Sequence, residues 1–212
     1  MKIKFLSLCI VLSAVVANAQ KTDNVIVLNA PDINRGEPVM KALSQRASAR
    51  VFTSTQLKLQ DLSDLLWAAN GINRPDEKKR TAASAVNAQD IDVYTFMQSG
   101  TYLYDASAHQ LVLVAEGDNR SIFSRNENET LPALICLLVS DISRFRMGDD
   151  AQKREMAAMD AGIVSQNIAV FCASVGLLTR PRAMMNKPKI KELLQLSDSQ
   201  IPMLNLPVSY KE

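Results

Sequence analysis

Two arginines four residues apart, Arg46 and Arg50, flank Ser48 in the stretch Ser44-Gln45-Arg46-Ala47-Ser48-Ala49-Arg50. Guanidinium groups present planar, permanently charged donors, and a hydroxyl between them adds another, a set suited to one phosphate group. Basic residues closing a helix also offset its dipole and bind its last carbonyls, so the stretch alone admits that plainer reading too. Two more stretches offer chemistry. Ala82-Ala83-Ser84-Ala85-Val86-Asn87-Ala88-Gln89 is small and polar, so a planar ligand can approach its backbone while Ser84, Asn87 and Gln89 supply directional hydrogen bonds. A cap and turn before a strand is the alternative there. Met159-Asp160-Ala161-Gly162 places a glycine inside a helical pattern. Glycine costs about 1 kcal/mol there relative to Ala, which points to something packed against it, a helix or a cofactor.

These stretches need elements to hold them. Val25-Ile26-Val27-Leu28 reads as a short strand in an extended lead-in, and Pro38 opens a helix whose Met40, Leu43 and Ala47 share an apolar face. Leu62, Leu65, Leu66 and Ala69 predict a helix over 59–70, with Ser63 and Asp64 facing out and Gly71 at its end. Residues 72–80 read as a charged loop. Ile91, Val93, Thr95 and Met97 alternate as a strand, and 101–104 with 111–114 form a hairpin whose polar turn carries His109, read as surface. Leu134 to Val139 is an apolar run of strand length, expected at the centre of a sheet. Residues 151–178 read as one long helix, 190–196 as a short one, and the tail with Pro202 and Pro207 as irregular. Helices, an antiparallel meander and a long buried helix make an α+β order with a central antiparallel sheet flanked by helices. No glycine-rich dinucleotide fingerprint and no P-loop follows a strand.

Met1 to Ala19 has the form of an export signal: Lys2 and Lys4, an apolar run from Phe5 to Val16, and Ala17-Asn18-Ala19 before Gln20. Residues 20–212 are then expected to form a single domain, periplasmic or secreted. Of 24 Lys and Arg against 22 Asp and Glu, only Lys2 and Lys4 precede Gln20, so the remainder is formally neutral. Neutrality gives no support for nucleic acid as a partner. No segment after the signal reads as a membrane span. Cys136 and Cys172 sit in separate apolar runs and lack metal-ligand spacing, which favours buried free thiols and leaves a disulfide open.

In this order the stretches resemble the FMN-dependent nitroreductase family, from about Ser44 to the C-terminus. Arg46-Ala47-Ser48-x-Arg50 is similar to the family's R-x-S-x-R/K element for the phosphate and ribityl chain. Ala83-Ser84-Ala85-x-Asn87-x-Gln89 is similar to its P-S-x-x-N-x-Q element, which reaches the flavin of the partner subunit. Asp160-Ala161-Gly162, followed by Ser165-Gln166-Asn167, resembles the helix start that offers a backbone N–H to flavin N5. Leu62-x-x-Leu65-Leu66-Trp67-Ala68-Ala69-x-Gly71 resembles the family's second helix in the branch related to peptide-azoline dehydrogenases. Ala83 replaces the family's usual Pro, and Ser209 replaces Gly in the P-x-G-Y element. Of the basic residues that often complete the phosphate grip, only Lys211 stands near the end.

The resemblance implies a homodimer with exchanged C-terminal segments and with FMN bound by Arg46, Ala47, Ser48, Arg50, Ser84, Ala85, Asn87, Ala161, Gly162 and Lys211. It also implies ping-pong hydride transfer from a reduced donor to an electron-poor acceptor, with no protein acid or base assigned and no metal. Two other classes compete: a flavin-binding protein with little turnover, and a structural relative without cofactor.

Overall fold

The computed structural model describes residues 24–124, 126 and 129–211, so the export signal lies outside the described residues. In chain order the elements are β1 (Val25–Val27), α1 (Val39–Gln45), α2 (Leu59–Asn70), β2 (Ile72–Arg74), β3 (Lys79–Arg80), β4 (Ile91–Met97), β5 (Gly100–Asp105), β6 (Gln110–Glu116), β7 (Leu134–Asp141), α3 (Asp150–Ser174), β8 (Leu177–Thr179), α4 (Lys187–Leu194) and β9 (Gln200–Tyr210). Seven strands form an antiparallel sheet in the order β1-β6-β5-β4-β7-β9-β8, and β2 pairs with β3 in a separate hairpin.

β7 is an uninterrupted apolar run because both faces of the sheet are covered there. Leu134, Cys136 and Leu138 join the core that includes Leu62, Leu65 and Leu66 of α2 and Ala161, Val164 and Ile168 of α3. Ile135, Leu137 and Val139 join a second core with Phe96, Phe123 and Ile190 of α4. Phe96 and Phe123 meet edge to face, ring centres 4.8 Å apart. Cys136 and Cys172 are both buried free thiols, and burial raises both above their ordinary range, Cys136 to about 12.

Several sequence expectations are corrected, and residues 72–80, read as a loop, form the β2–β3 hairpin. On α1 the buried residue is Ala42, while Met40 and Leu43 are exposed and Ala47 lies past the helix end. Ser63 and Asp64 of α2 are buried rather than outward, because Ser63 Oγ accepts the Asn29 N–H at 2.9 Å and Asp64 accepts the Asp32 N–H at 2.9 Å. The long helix stops at Ser174, and Gly176, with φ +77, turns the chain into β8. α3 does have the length and apolar character of a membrane span, but its inner face packs here as the core helix of the sheet. The tail is not irregular: β9 runs for 11 residues between β7 and β8. Its prolines fit because β8 covers only Val208–Tyr210, so at Pro202 and Pro207 no long strand needs the missing N–H.

Candidate functional site

α1 ends as Arg46 turns extended, its N–H still bonded to the Ala42 carbonyl at 2.9 Å. The chain then runs along the outer edge of β8. Ser48 pairs in parallel with Thr179, and Ala49 N–H donates to the Thr179 carbonyl at 3.0 Å. Arg46, Ser48 and Arg50 are exposed; among the described residues neither arginine makes an ion pair, and Arg46 caps α1 through its backbone N–H, not its guanidinium. The buried Thr179 hydroxyl beside them has no hydrogen-bond partner in the protein. Lys211 is exposed beyond β9. Val208 lies opposite Thr179, so Lys211 is three residues further along, roughly 10 Å at the strand rise.

The 82–89 stretch forms a 3-10 turn at Ala85–Asn87. Val86, Asn87 and Gln89 have φ of +48°, +55° and +49°, which is strained for all three and most for the β-branched Val86. Ser84 Oγ accepts the Gln89 N–H at 2.9 Å and keeps its own proton free to donate. Arg80 Nε donates to Gln89 Oε1 at 3.0 Å and Arg144 donates to the Gln89 carbonyl at 2.9 Å.

At the C-terminal element, Ser209 is wholly buried and bonded to Thr53 and to the Tyr210 carbonyl. The Tyr210 hydroxyl donates to Asp61 and accepts the Lys58 N–H at 2.9 Å, and Arg35 bridges Asp61 and Asp64. Burial pulls the Asp61 carboxyl upward, but the hydrogen bonds from Tyr210 and Arg35 outweigh it and hold the group below its ordinary range.

The nitroreductase family model matches residues 43–210, which spans every candidate flavin-site residue except Lys211. The chain belongs to the nitroreductase family. A nitroreductase-family protein of Ralstonia eutropha JMP134 is similar in structure, with a TM-score of 0.84, 32% identity and 91% of each chain covered. A nitroreductase-family protein of Methanocaldococcus jannaschii is 25% identical over 195 residues, 87% of this chain and 96% of that one. The Escherichia coli microcin synthetase complex, solved with a truncated pro-microcin bound, shares the fold at TM-score 0.70 and 17% identity, covering 96% of this chain and 85% of that one.

In this chain the Asp160-Ala161-Gly162 stretch is not a helix start. α3 begins at Asp150 behind a capping box formed by Asp149 and Gln152, so these three residues lie mid-helix with their amides in the helical ladder. Ala161 is buried in the core and presents nothing outward. Gly162 is exposed, and a Cβ built there would meet no atom of this chain within 4 Å, so no helix packs against it. The Ala85 N–H is likewise engaged, by Asp160.

Residues 200–210 of this chain pair with its own β7 and β8. His109 is not free surface: one ring nitrogen meets the Tyr104 hydroxyl and the other the Asn29 carbonyl, both at 2.9 Å. Burial, opposed by the Asn29 contact, lowers its pKa.

Thr53, Thr179, Asp61 and Asp90 went unnoticed in the sequence because their partners lie far away in the chain. A cavity of about 690 Å³ was equally hidden; it opens on the α4 side, lined by Phe123, Arg182, Met184, Met185 and Asn186 among others, and no sequence-predicted site residue reaches it.

Proposed function

We propose that this protein is an exported FMN-dependent oxidoreductase that takes hydride from a reduced donor and passes it to an electron-poor acceptor in two half-reactions. The observation that carries the reading is the pair of exposed, unpaired guanidiniums of Arg46 and Arg50 on either side of Ser48, beside the partnerless Thr179 hydroxyl. Surface arginines commonly pair with carboxylates, and two left unpaired around a hydroxyl fit a phosphate monoester with ribityl hydroxyls next to it. The residues present therefore fit the phosphate end of FMN.

Arg46 and Arg50 would hold the phosphate, with Lys211 adding charge at longer range, and Ser48 with the backbone at Ala47 would meet the ribityl chain. The Ser84 hydroxyl and the exposed Asn87 would face the ring system, and Gly162 would supply space rather than a donor. The flavin, when bound, supplies the hydride chemistry, while the protein orients it and excludes water.

A homodimer belongs to the same reading. Val39, Met40 and Leu43 of α1 and Met159 and Ile163 of α3 are exposed apolar side chains on elements that pack together, a surface suited to a second copy.

The visible spectrum of the purified mature protein tests the reading. A flavin spectrum that bleaches with a reduced donor and returns with an electron-poor acceptor is expected. A bound flavin that does not turn over would favour a binding protein, and no flavin even after incubation with FMN would favour a relative without cofactor. Light scattering at micromolar concentration should give a dimer mass; a monomer would remove that part.

A further inference from the structure

Beneath the strained 84–89 turn lies a pair of buried acids to which the proposed flavin chemistry gives no role. Asp90, just ahead of β4, is fully inaccessible, and Asp160, on the inner side of α3, is 2% exposed. Asp160 acts on Asp90 both as a like charge and as a hydrogen-bonding neighbour. Ser140 donates its hydroxyl to Asp90 Oδ2, but Asp90 Oδ1 receives no hydrogen from any protein group. Both oxygens of Asp160 accept the Ala85 N–H, at 3.0 and 2.9 Å.

No cation pairs with either acid among the described residues. Arg144 faces Asp90 from the turn after β7, yet its terminal nitrogens go to Asp92 at 2.9 and 2.6 Å and to the Gln89 carbonyl, with Asp141 at 3.5 Å from Nε. Arg80 serves Gln89 and the Asn70 carbonyl. Two ionised carboxylates next to each other in a buried site repel strongly, and one proton between them removes the repulsion. Burial first, and then the neighbouring Asp160, lift Asp90 to about 7 against the opposing Ser140 hydroxyl.

We infer that Asp90 and Asp160, joined by one proton, clamp the 84–89 turn to α3 through the Ala85 N–H, which makes Asp160 a positioning residue for the wall of the flavin site. The clamp stands on the geometry of this chain, and only its effect on flavin rests on the reading above. It also explains how Val86 keeps a conformation that costs free energy: the turn is tied at Ala85 by Asp160, at Gln89 by Ser84, and from outside by Arg80 and Arg144.

The test uses the mature protein and D160N and D160A, reading the hydrogen-exchange protection factor of the Ala85 amide without flavin and the affinity for added FMN, across about pH 5 to 9. In the wild type, protection and affinity should both fall as pH rises through about 7, where the shared proton leaves. D160N keeps a carbonyl for Ala85 and gains an N–H for Asp90, so both readouts should lose that step. D160A should lose about 10-fold or more in each at neutral pH, as expected for losing a charge-assisted hydrogen bond.

If D160A fails to fold, the pH profiles of the wild type and D160N decide. Unchanged Ala85 protection in D160A, or a step that persists in D160N, overturns the clamp. Lost protection with unchanged FMN affinity removes 84–89 from the flavin site and leaves the clamp standing. If no form binds FMN, the flavin reading falls and the exchange data still decide the clamp.

Discussion

Ser209 Oγ accepts the amide N–H of Thr53 at 3.1 Å while its hydroxyl donates to the Tyr210 carbonyl at 2.9 Å. The side chain that stands in place of the family's glycine thus ties the end of β9 to the chain leading into α2. Ser209→Ala leaves a half-buried amide without its acceptor, so it should cost about 1 kcal/mol in urea unfolding with an unchanged m-value. Ser209→Gly should cost at least as much, although glycine is the family's residue.

Tyr210→Phe removes one hydroxyl that serves both Asp61 and the Lys58 amide. The expected loss at neutral pH is about 1–3 kcal/mol. Asp61 lies below its ordinary pKa when folded, so its contribution is present above the unfolded value of 3.8 and disappears as acid protonates it through the lower folded value. The difference between Tyr210→Phe and wild type should therefore shrink on acidification in that range, which unfolding curves at several pH values would show.

Val86 is 58% exposed at φ +48°, so it loses little burial on replacement and gains relief from strain. Asparagine tolerates the left-handed region, and Val86→Asn should raise stability by about 1 kcal/mol. For a chain of this size that is about 2–4 °C in melting temperature. An unchanged or lower melting temperature would mean that the strain is absent in solution.

Asp90 gives the opposite pH sign to Asp61. Its folded pKa is raised to about 7 from 3.8, so the folded state keeps a proton that the unfolded chain loses. Stability should fall with rising pH by at most about 1.4 kcal/mol per unit between those two values and level off above the upper one. Asp90→Asn has no proton to lose and should remove this slope when compared with wild type under the same conditions.

The fold was largely legible because its signals are local. Leu62, Leu65, Leu66 and Ala69 repeat at helical spacing and α2 spans residues 59–70, while the run at 134–139 became the strand covered on both faces. What failed depended on contacts across the chain. Ser63 and Asp64 look like a solvent face until Asn29, Asp32 and Arg35 arrive from 29 to 34 residues away. Pro202 and Pro207 look like loop residues until the pairing of β9 is seen, with β7 along its length and with β8 only at Val208–Tyr210. At the candidate site, the Arg46–Arg50 spacing was visible, but its orientation depends on the Ser48–Thr179 pairing, separated by most of the chain. The Asp160 stretch was visible too, but the group that acts is its buried carboxylate rather than a free amide, which only the packing of α3 against the 85–87 turn reveals.

FMN titration of apo-protein carrying Arg46→Ala or Arg50→Ala addresses the flavin site most directly. If these guanidiniums hold the phosphate, each makes charge-assisted hydrogen bonds of about 1.5–3 kcal/mol, so each loss should weaken FMN about 10- to 150-fold. Lysine at either position should restore only part of the affinity, because an ammonium lacks the planar two-donor grip. Both arginines are exposed and unpaired, so the variants should remain folded. Unchanged FMN affinity in both alanine variants would contradict the account and remove this stretch from the site.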